Sequence, residues 1–490
     1  MNTAPDATQT TLRDDLRALL SCPRELWLIF LATFFEYLGI FSFLPTLAMW
    51  LSTDYGMGDK EAGWWASTFS MLLTFFVFLV GSIADAAGIR RTLIVSFSLA
   101  AITRLAMALA PSPAMAICAL LSFGFAYATT SPVLQAAVQR ASNKRTRAFA
   151  FSLWYVSFNL AGALCGPFII DATRSRFLAR WYDVPPFSAD AVRIVHWPEA
   201  AVHVLDSVGA PYLDMLGRLL KRSVDLPLLG PRPMTANAVI MAWGFVFAVL
   251  AALVILMLRK DFEHRVDPED GARPANKTNP LQAMREVFTD RAFWRFLVLL
   301  AFLSLVKMMF QHMHFTWPKY ITREQGEGFP VGTLWSLNSL LIIGLAPLGT
   351  ALTRKMKAFH VLLVGAFISA ASPFILTLGS TMPFQVAMIL VLTIGEALWS
   401  PRSYEYTLSI APRGRESTYV ALAALPFFFA KFMVGPTSGY LLEMWCPAKG
   451  VHHASFIWLA IGLMTMLGPV GMFACRHWIQ RLEQAKVTAE

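Results

Sequence analysis

Charge is scarce in this chain. Only 15% of its 490 residues are charged and 56% are hydrophobic, whereas soluble domains carry about a quarter charged residues. That shortage excludes an ordinary water-exposed enzyme of this length. Cysteine is scarce as well: Cys22, Cys118, Cys165, Cys446 and Cys475 lie scattered without a CxxC spacing, so neither a disulfide framework nor a zinc site is expected. A Gly-x-x-x-x-Gly-Lys-[Ser/Thr] loop is missing, which removes ATP hydrolysis by this chain. No nucleophile-and-base grouping suggests an enzyme, and neither a cofactor nor a metal is expected. The formal net charge of +10 would point to nucleic acid only if the basic residues gathered on a water-exposed face.

Apolar runs are what the chain has in abundance. Twelve stretches reach the roughly 20 mostly apolar residues that a membrane helix requires. They fall near 26–50, 62–84, 92–110, 114–138, 147–171, 236–258, 292–317, 331–353, 358–379, 383–404, 417–442 and 453–475. The basic residues then set orientation. Short loops on one side hold Arg90, Arg91, Arg140, Lys144, Arg145, Arg147, Arg354, Lys355, Lys357, Arg402, Arg413 and Arg415, against Lys60, Lys319, Arg323 and Lys449 on the other. By the positive-inside rule both termini are expected in the cytoplasm. The bilayer is therefore the expected partner, and nucleic acid drops out.

The expected architecture is an all-α, multi-pass integral membrane protein of the bacterial cytoplasmic membrane, with two pseudo-symmetric six-helix bundles. A tail (1–25) precedes spans 1–5 (26–172); an extracytoplasmic insertion (173–235) precedes span 6 (236–258). A polar cytoplasmic linker (259–290) leads to spans 7–12 (291–476) and a second tail (477–490). Val202, Leu205, Val208, Leu213, Leu216 and Leu219 in the insertion have helical spacing, which reads as amphipathic helices on the outer surface. Duplication is visible at a fixed offset. Ser131-Pro132 recurs as Ser400-Pro401 and Gly166-Pro167 as Gly435-Pro436, each 269 residues later. Proline bends a helix, so Pro132, Pro167, Pro401 and Pro436 are expected to set matched bends.

Between spans 2 and 3 the chain reads Gly81-Ser-Ile-Ala-Asp85-Ala-Ala-Gly88-Ile-Arg90-Arg91. Gly88 permits a tight turn. Asp85 can pair with Arg90 and Arg91 or cap a neighbouring helix, which makes the loop a gating latch. The motif resembles the signature loop of the major facilitator superfamily. Within it, Trp154-Tyr155-Val-Ser-Phe158-Asn159-Leu-Ala-Gly162 in span 5 and Gly395-Glu396-Ala-Leu-Trp399-Ser400-Pro401 in span 10 are similar to passages of the proton-dependent oligopeptide transporters. That resemblance implies proton-coupled uptake of peptide-like solutes. Span 1 keeps only Glu36 of that family's pattern, followed by Tyr37-Leu38-Gly39-Ile40-Phe41, and the lysine of its span 4 is missing here. Gly162-Ala-Leu-Cys-Gly166-Pro167 is similar to half of the motif of drug/proton antiporters, which keeps export open.

Five ionisable residues stand inside the spans: Glu36, Arg104, Lys307, Glu396 and Lys431. Each costs about 2.5–3.5 kcal/mol at a span centre, so they are expected to pair or to face a watery cavity. Glu396, then Glu36, are the candidates for proton coupling, since a partly desolvated carboxyl can pick up and release a proton within a cavity. A Glu36–Lys307 contact is expected at the outer gate, and Arg104 is expected to snorkel to water. Tyr37, Tyr155, Asn159, Lys307, Gln311, Trp399 and Lys431 are candidate cavity residues for a small-molecule solute. The expected function is a secondary active transporter, working as a monomer and driven by protons. Uptake of a peptide-like or other small organic solute leads over export of drugs or secondary metabolites. A non-transporting membrane receptor or scaffold is the alternative of another class.

Overall fold

A backbone in lipid must satisfy its own hydrogen bonds, and the apolar runs do so as helices. The computed structural model describes residues 23–142, 147–174, 235–259, 291–410 and 425–479. The first span is α1 (Arg24–Phe43), a 3-10 turn (Leu44–Thr46) and α2 (Leu47–Tyr55). There follow α3 (Asp59–Ala87), α4 (Ile89–Leu109), α5 (Pro113–Ala141) and α6 (Arg147–Cys165), the last extended by a π turn, Gly166–Asp171. After the insertion comes α7 (Ala236–Leu256). The second half holds α8 (Arg291–Phe315), α9 (Trp317–Gln325), α10 (Val331–Leu352), α11 (Ala358–Ala371), α12 (Met382–Ile410), α13 (Leu425–Trp445) and α14 (Ala454–Ala474). No strand occurs among the described residues. Ten of these segments are long and apolar enough to cross a membrane. The insertion from 175 to 234, the linker from 260 and both outermost tails lie outside the described residues.

Local signals end the helices where chemistry requires. Gly56 closes α2 at φ +68°, its N–H reaching the Leu51 and Ser52 carbonyls, a left-handed cap that a Cβ would disfavour. Ser112 and Thr235 cap α5 and α7 through their hydroxyls, satisfying amides that the first turn leaves free. Pro132, Pro401 and Pro436 sit inside continuous helices. Pro167 falls instead in the π turn, so the matched prolines do not make matched local geometry.

The two halves meet along α3–α13 and α6–α10, and there the internal repeat becomes physical. The Gly166 N–H donates to Ser336 Oγ at 2.9 Å; the Gly435 N–H donates to Ser67 Oγ at 2.7 Å. Ser67 and Ser336 are themselves 269 residues apart, as are Gly63 and Gly332. A Cβ on Gly166 would overlap the Gly332 carbonyl oxygen, and one on Gly435 the Gly63 carbonyl oxygen. Two equivalent glycine–serine joints thus let the backbones of opposite halves touch. Both lie toward the end of the bundle that carries Asp59, Asp171, Val331 and Trp445, called here the closed end.

Candidate functional site

Among the described residues, the first half holds a buried ion pair. Arg104 on α4 donates from Nη2 to Glu36 Oε1 at 2.9 Å and from Nη1 to Oε2 at 3.1 Å. Its Nη1 also reaches the Gly244 carbonyl on α7 at 3.3 Å, and the guanidinium lies 4.6 Å from the Phe123 ring centre. Gly39 and Gly244 make room, since a Cβ on Gly39 would press on the guanidinium and one on Gly244 on the Arg104 Cδ. Glu36 is 1% and Arg104 3% exposed. Two sequence expectations are corrected here. Glu36 pairs with Arg104 rather than Lys307, because α1 and α4 both pack on α7; and Arg104, held by both carboxylate oxygens, does not snorkel. Tyr37 nearby stacks on Phe158 at 5.0 Å, with its hydroxyl 3.3 Å from Ser131 Oγ.

The second half arranges its charges differently. Glu396 Oε2 accepts from Asn338 Nδ2 at 2.9 Å, and the same amide donates to Thr393 at 2.9 Å. Lys307 acts on Glu396 through space and also feels Lys431. The Lys307 ammonium lies 3.9 Å from the Phe427 ring centre and 5.6 Å from that of Trp399, a cation–π setting. Lys431 reaches across to Thr74 of the first half at 3.5 Å. Glu396, Lys307 and Lys431 remain half-buried rather than sealed. Gln311 and His314 follow Lys307 at one and two helical turns and are half-buried too, so the three share a face of α8. Trp335 donates its indole N–H to His314 at 3.1 Å and packs on Phe41 of the first half at 5.5 Å.

Other expected cavity residues are placed less centrally. Trp399 is 2% exposed and donates to Ser369 at 3.0 Å, so it offers the polar set only its ring face. Asn159 is buried, its amide donating to the Tyr155 carbonyl one turn back at 2.9 Å. Tyr155 itself packs against the cluster of Ile342 and Ala346 on α10 with Ala397 on α12.

The closed end carries ion pairs that sequence reasoning missed. Asp59, at the first residue of α3 and ahead of its apolar run, accepts from Lys319 at 2.9 Å and twice from Arg323 at 2.8 Å. Lys60–Glu443 (2.7 Å) and Arg174–Glu327 (2.6 Å) flank the two joints. The Asp171 carboxylate accepts from the Gly332 and Thr333 N–H groups at 2.8 and 2.6 Å, capping α10 where its dipole favours an anion. Burial pushes the Asp59 carboxyl up, but the Arg323 hydrogen bond and the Lys319 charge outweigh it and hold the carboxyl below its ordinary value. Lys319 is pushed down, burial outweighing the pull of Asp59. The two partners thus point opposite ways, and Arg323 is the stronger holder of the clamp. A signal for the joints was present in the chain: Gly63-x-x-x-Ser67 recurs as Gly332-x-x-x-Ser336.

At the opposite end Gly88 adopts φ +84°, the turn its position implied. Arg90 donates to the Leu258 and Leu256 carbonyls at 2.9 and 3.1 Å, capping the end of α7, while Arg91 is exposed. The Asp85 side chain lies outside the described residues.

Known proteins share this build. The chain superposes on a POT family transporter in complex with 5-aminolevulinic acid with TM-score 0.63 at 15% identity, covering 93% of this chain and 97% of that one. The nucleoside transporter NupG gives TM-score 0.65 at 11% identity over 92% and 99% of the chains. A bacterial homolog of the human lysosomal transporter Spinster, inward-facing and unoccupied, gives 0.61 at 15% over 94% of each. At such identities the likeness is one of fold. Among curated proteins no relative matches the chain. The sequence profile described as Major Facilitator Superfamily matches residues 29–181 and 228–436. With that match spread over both halves of an all-helical, multi-pass membrane protein, the chain belongs to the major facilitator superfamily.

Proposed function

We propose that the protein is a secondary active transporter that imports a small organic solute with an acidic group, peptide-like in size, together with protons. It crosses the membrane twelve times with both termini in the cytoplasm, in the cytoplasmic membrane of a bacterium. One observation carries this reading: Glu396, Lys307 and Lys431 stand mid-span and half-buried, and among the described residues Asn338 is the side chain that donates to the carboxylate. Ionisable groups needed for packing alone would be paired and sealed, as Glu36 and Arg104 are. Two lysines against one glutamate leave a positive excess that suits a carboxylate. Neighbours in fold include a POT family transporter solved with 5-aminolevulinic acid, which agrees with an acidic solute.

Coupling follows from competition for the lysines. A solute carboxylate drawn to Lys307 and Lys431 takes Lys307 from ionised Glu396, so its arrival favours Glu396 in the protonated form. Proton and solute then bind together, and by linkage each raises the affinity for the other. Lys60, Lys319, Arg323 and Lys449 lie at the closed end, which the positive-inside rule puts outside. The sealed joints then belong to the state closed to the exterior. The half-motif Gly162…Gly166-Pro167 lies in the α6–α10 joint, where Gly162 faces Ser339 and Gly166 faces Ser336.

The test is uptake into proteoliposomes under an inside-alkaline gradient. Competition among dipeptides, nucleosides, sugars and lipophilic cations identifies the solute. With that solute, Glu396→Gln is expected to abolish uphill accumulation while leaving counterflow exchange. Uphill accumulation retained in this variant removes Glu396 from the coupling role.

A further inference from the structure

The loop joining α13 to α14 folds back on itself. Gly450 sits at φ +120°, and the His453 N–H closes the loop on the Trp445 carbonyl at 2.7 Å. That reversal sets Cys446 and His452 side by side, facing Glu324 near the end of α9. His452 Nδ1 lies 2.8 Å from Glu324 Oε1, and Cys446 Sγ lies 3.9 Å from the same oxygen. All three ligand atoms fall within 4.8 Å of one another. We propose that Glu324, Cys446 and His452 bind a zinc-class transition-metal ion at the closed end of the bundle, apart from the central polar set and independently of the transport reading.

The donor set selects the ion. Thiolate and imidazole favour zinc and its neighbours, whereas calcium and magnesium ask for oxygen ligands throughout. Bond lengths of about 2.0–2.3 Å to N, O and S in a tetrahedron put ligand atoms roughly 3.3–3.7 Å apart, and the observed separations straddle that spacing. His452 is also oriented for the task. Its Nε2 lies 3.0 Å from the Pro447 carbonyl, the outer contact by which a metal-binding imidazole is usually held. Both ring nitrogens face oxygens that only accept when Glu324 is ionised, so a neutral ring can satisfy one of them. An ion resolves this: Nε2–H donates to Pro447 and the Nδ1 lone pair binds the metal. The thiol gives up its proton to water on coordination. Cys446 is buried, while the side chains of His452 and Glu324 are 25% and 18% exposed, which leaves a path for the ion and a place for water as fourth ligand. The cysteine spacing hid this site because Glu324 comes from another helix.

Cobalt(II) titration of the full-length protein in detergent tests the proposal, since cobalt reports a bound thiolate by near-ultraviolet charge-transfer absorption. A saturable band with one ion per chain, bleached by zinc, is expected. Cys446→Ser should lose the band and Cys118→Ser keep it. His452→Gln and Glu324→Gln, which retain the cysteine, should each weaken cobalt binding by about tenfold or more. No band in the parent at millimolar cobalt, a band that survives Cys446→Ser, or unchanged affinity in both retained-cysteine variants overturns the site.

Discussion

Replacing Gly435 by alanine is the sharpest perturbation of the closed end. The new methyl would strike the Gly63 carbonyl oxygen and Ser67 Oγ on α3, and a backbone oxygen cannot rotate away. The strain exists only while the halves touch, so it weighs against the closed state alone. Overpacking of this kind costs about 1–3 kcal/mol, which displaces a two-state equilibrium by roughly 5- to 150-fold. The chain supplies a reporter at the other joint: Cys165 is fully buried, with Sγ 3.9 Å from Ser336 Oγ. With Cys22, Cys118, Cys446 and Cys475 changed to serine, a membrane-impermeant thiol reagent applied from the closed side reads the opening of that joint. If the halves move as bodies, Gly435→Ala should speed Cys165 labelling by that factor, although the mutation sits at the opposite joint. Gly344→Ala, where an added methyl meets nothing within 4 Å, should leave the rate alone. Labelling of Cys165 no faster than in the parent, in a protein that remains folded and monodisperse, refutes the coupling of the two joints.

The buried Glu36–Arg104 pair should behave as structure. Glu36→Gln or Arg104→Met alone strands a charge and should cost about 3–5 kcal/mol in stability, read as a large fall in thermal midpoint, while the double variant loses less than either single one. Asp59 has a carboxyl held below its ordinary value by Arg323 and Lys319, so its contribution is fully present above about pH 4, the unfolded value, and is lost as pH falls through the lower folded value. The thermal-midpoint gap between parent and Asp59→Asn should therefore hold from neutrality down to mild acid and close only in stronger acid. A gap that already closes in mild acid contradicts this sign.

Much of the architecture could be read along the chain. The long apolar runs, the basic residues gathered in alternate short loops and the 269-residue offset of Gly166-Pro167 and Gly435-Pro436 all follow from local needs: span length, charge retention and repeated chain segments. The turn at Gly88 was legible for the same reason, since one residue's φ is a local property. Glu396 and Lys307 were visible as charges where lipid should be.

Which charge meets which was not visible. Glu36 was expected against Lys307 and lies against Arg104; Asn159 was expected to face a cavity and bonds its own helix. The clamp of Asp59 with Lys319 and Arg323, and the grouping of Cys446, His452 and Glu324, join segments distant in sequence. Sequence by itself determined that these helices form, how many apolar runs there are and that the chain repeats. Tertiary structure alone decided which face of each helix looks inward. A soluble helix declares that face by an apolar stripe, but a helix apolar on nearly every side carries no such stripe. Its rotation about its axis is set only when neighbouring backbones close on each other at points such as Gly63 against Gly435 and Gly332 against Gly166.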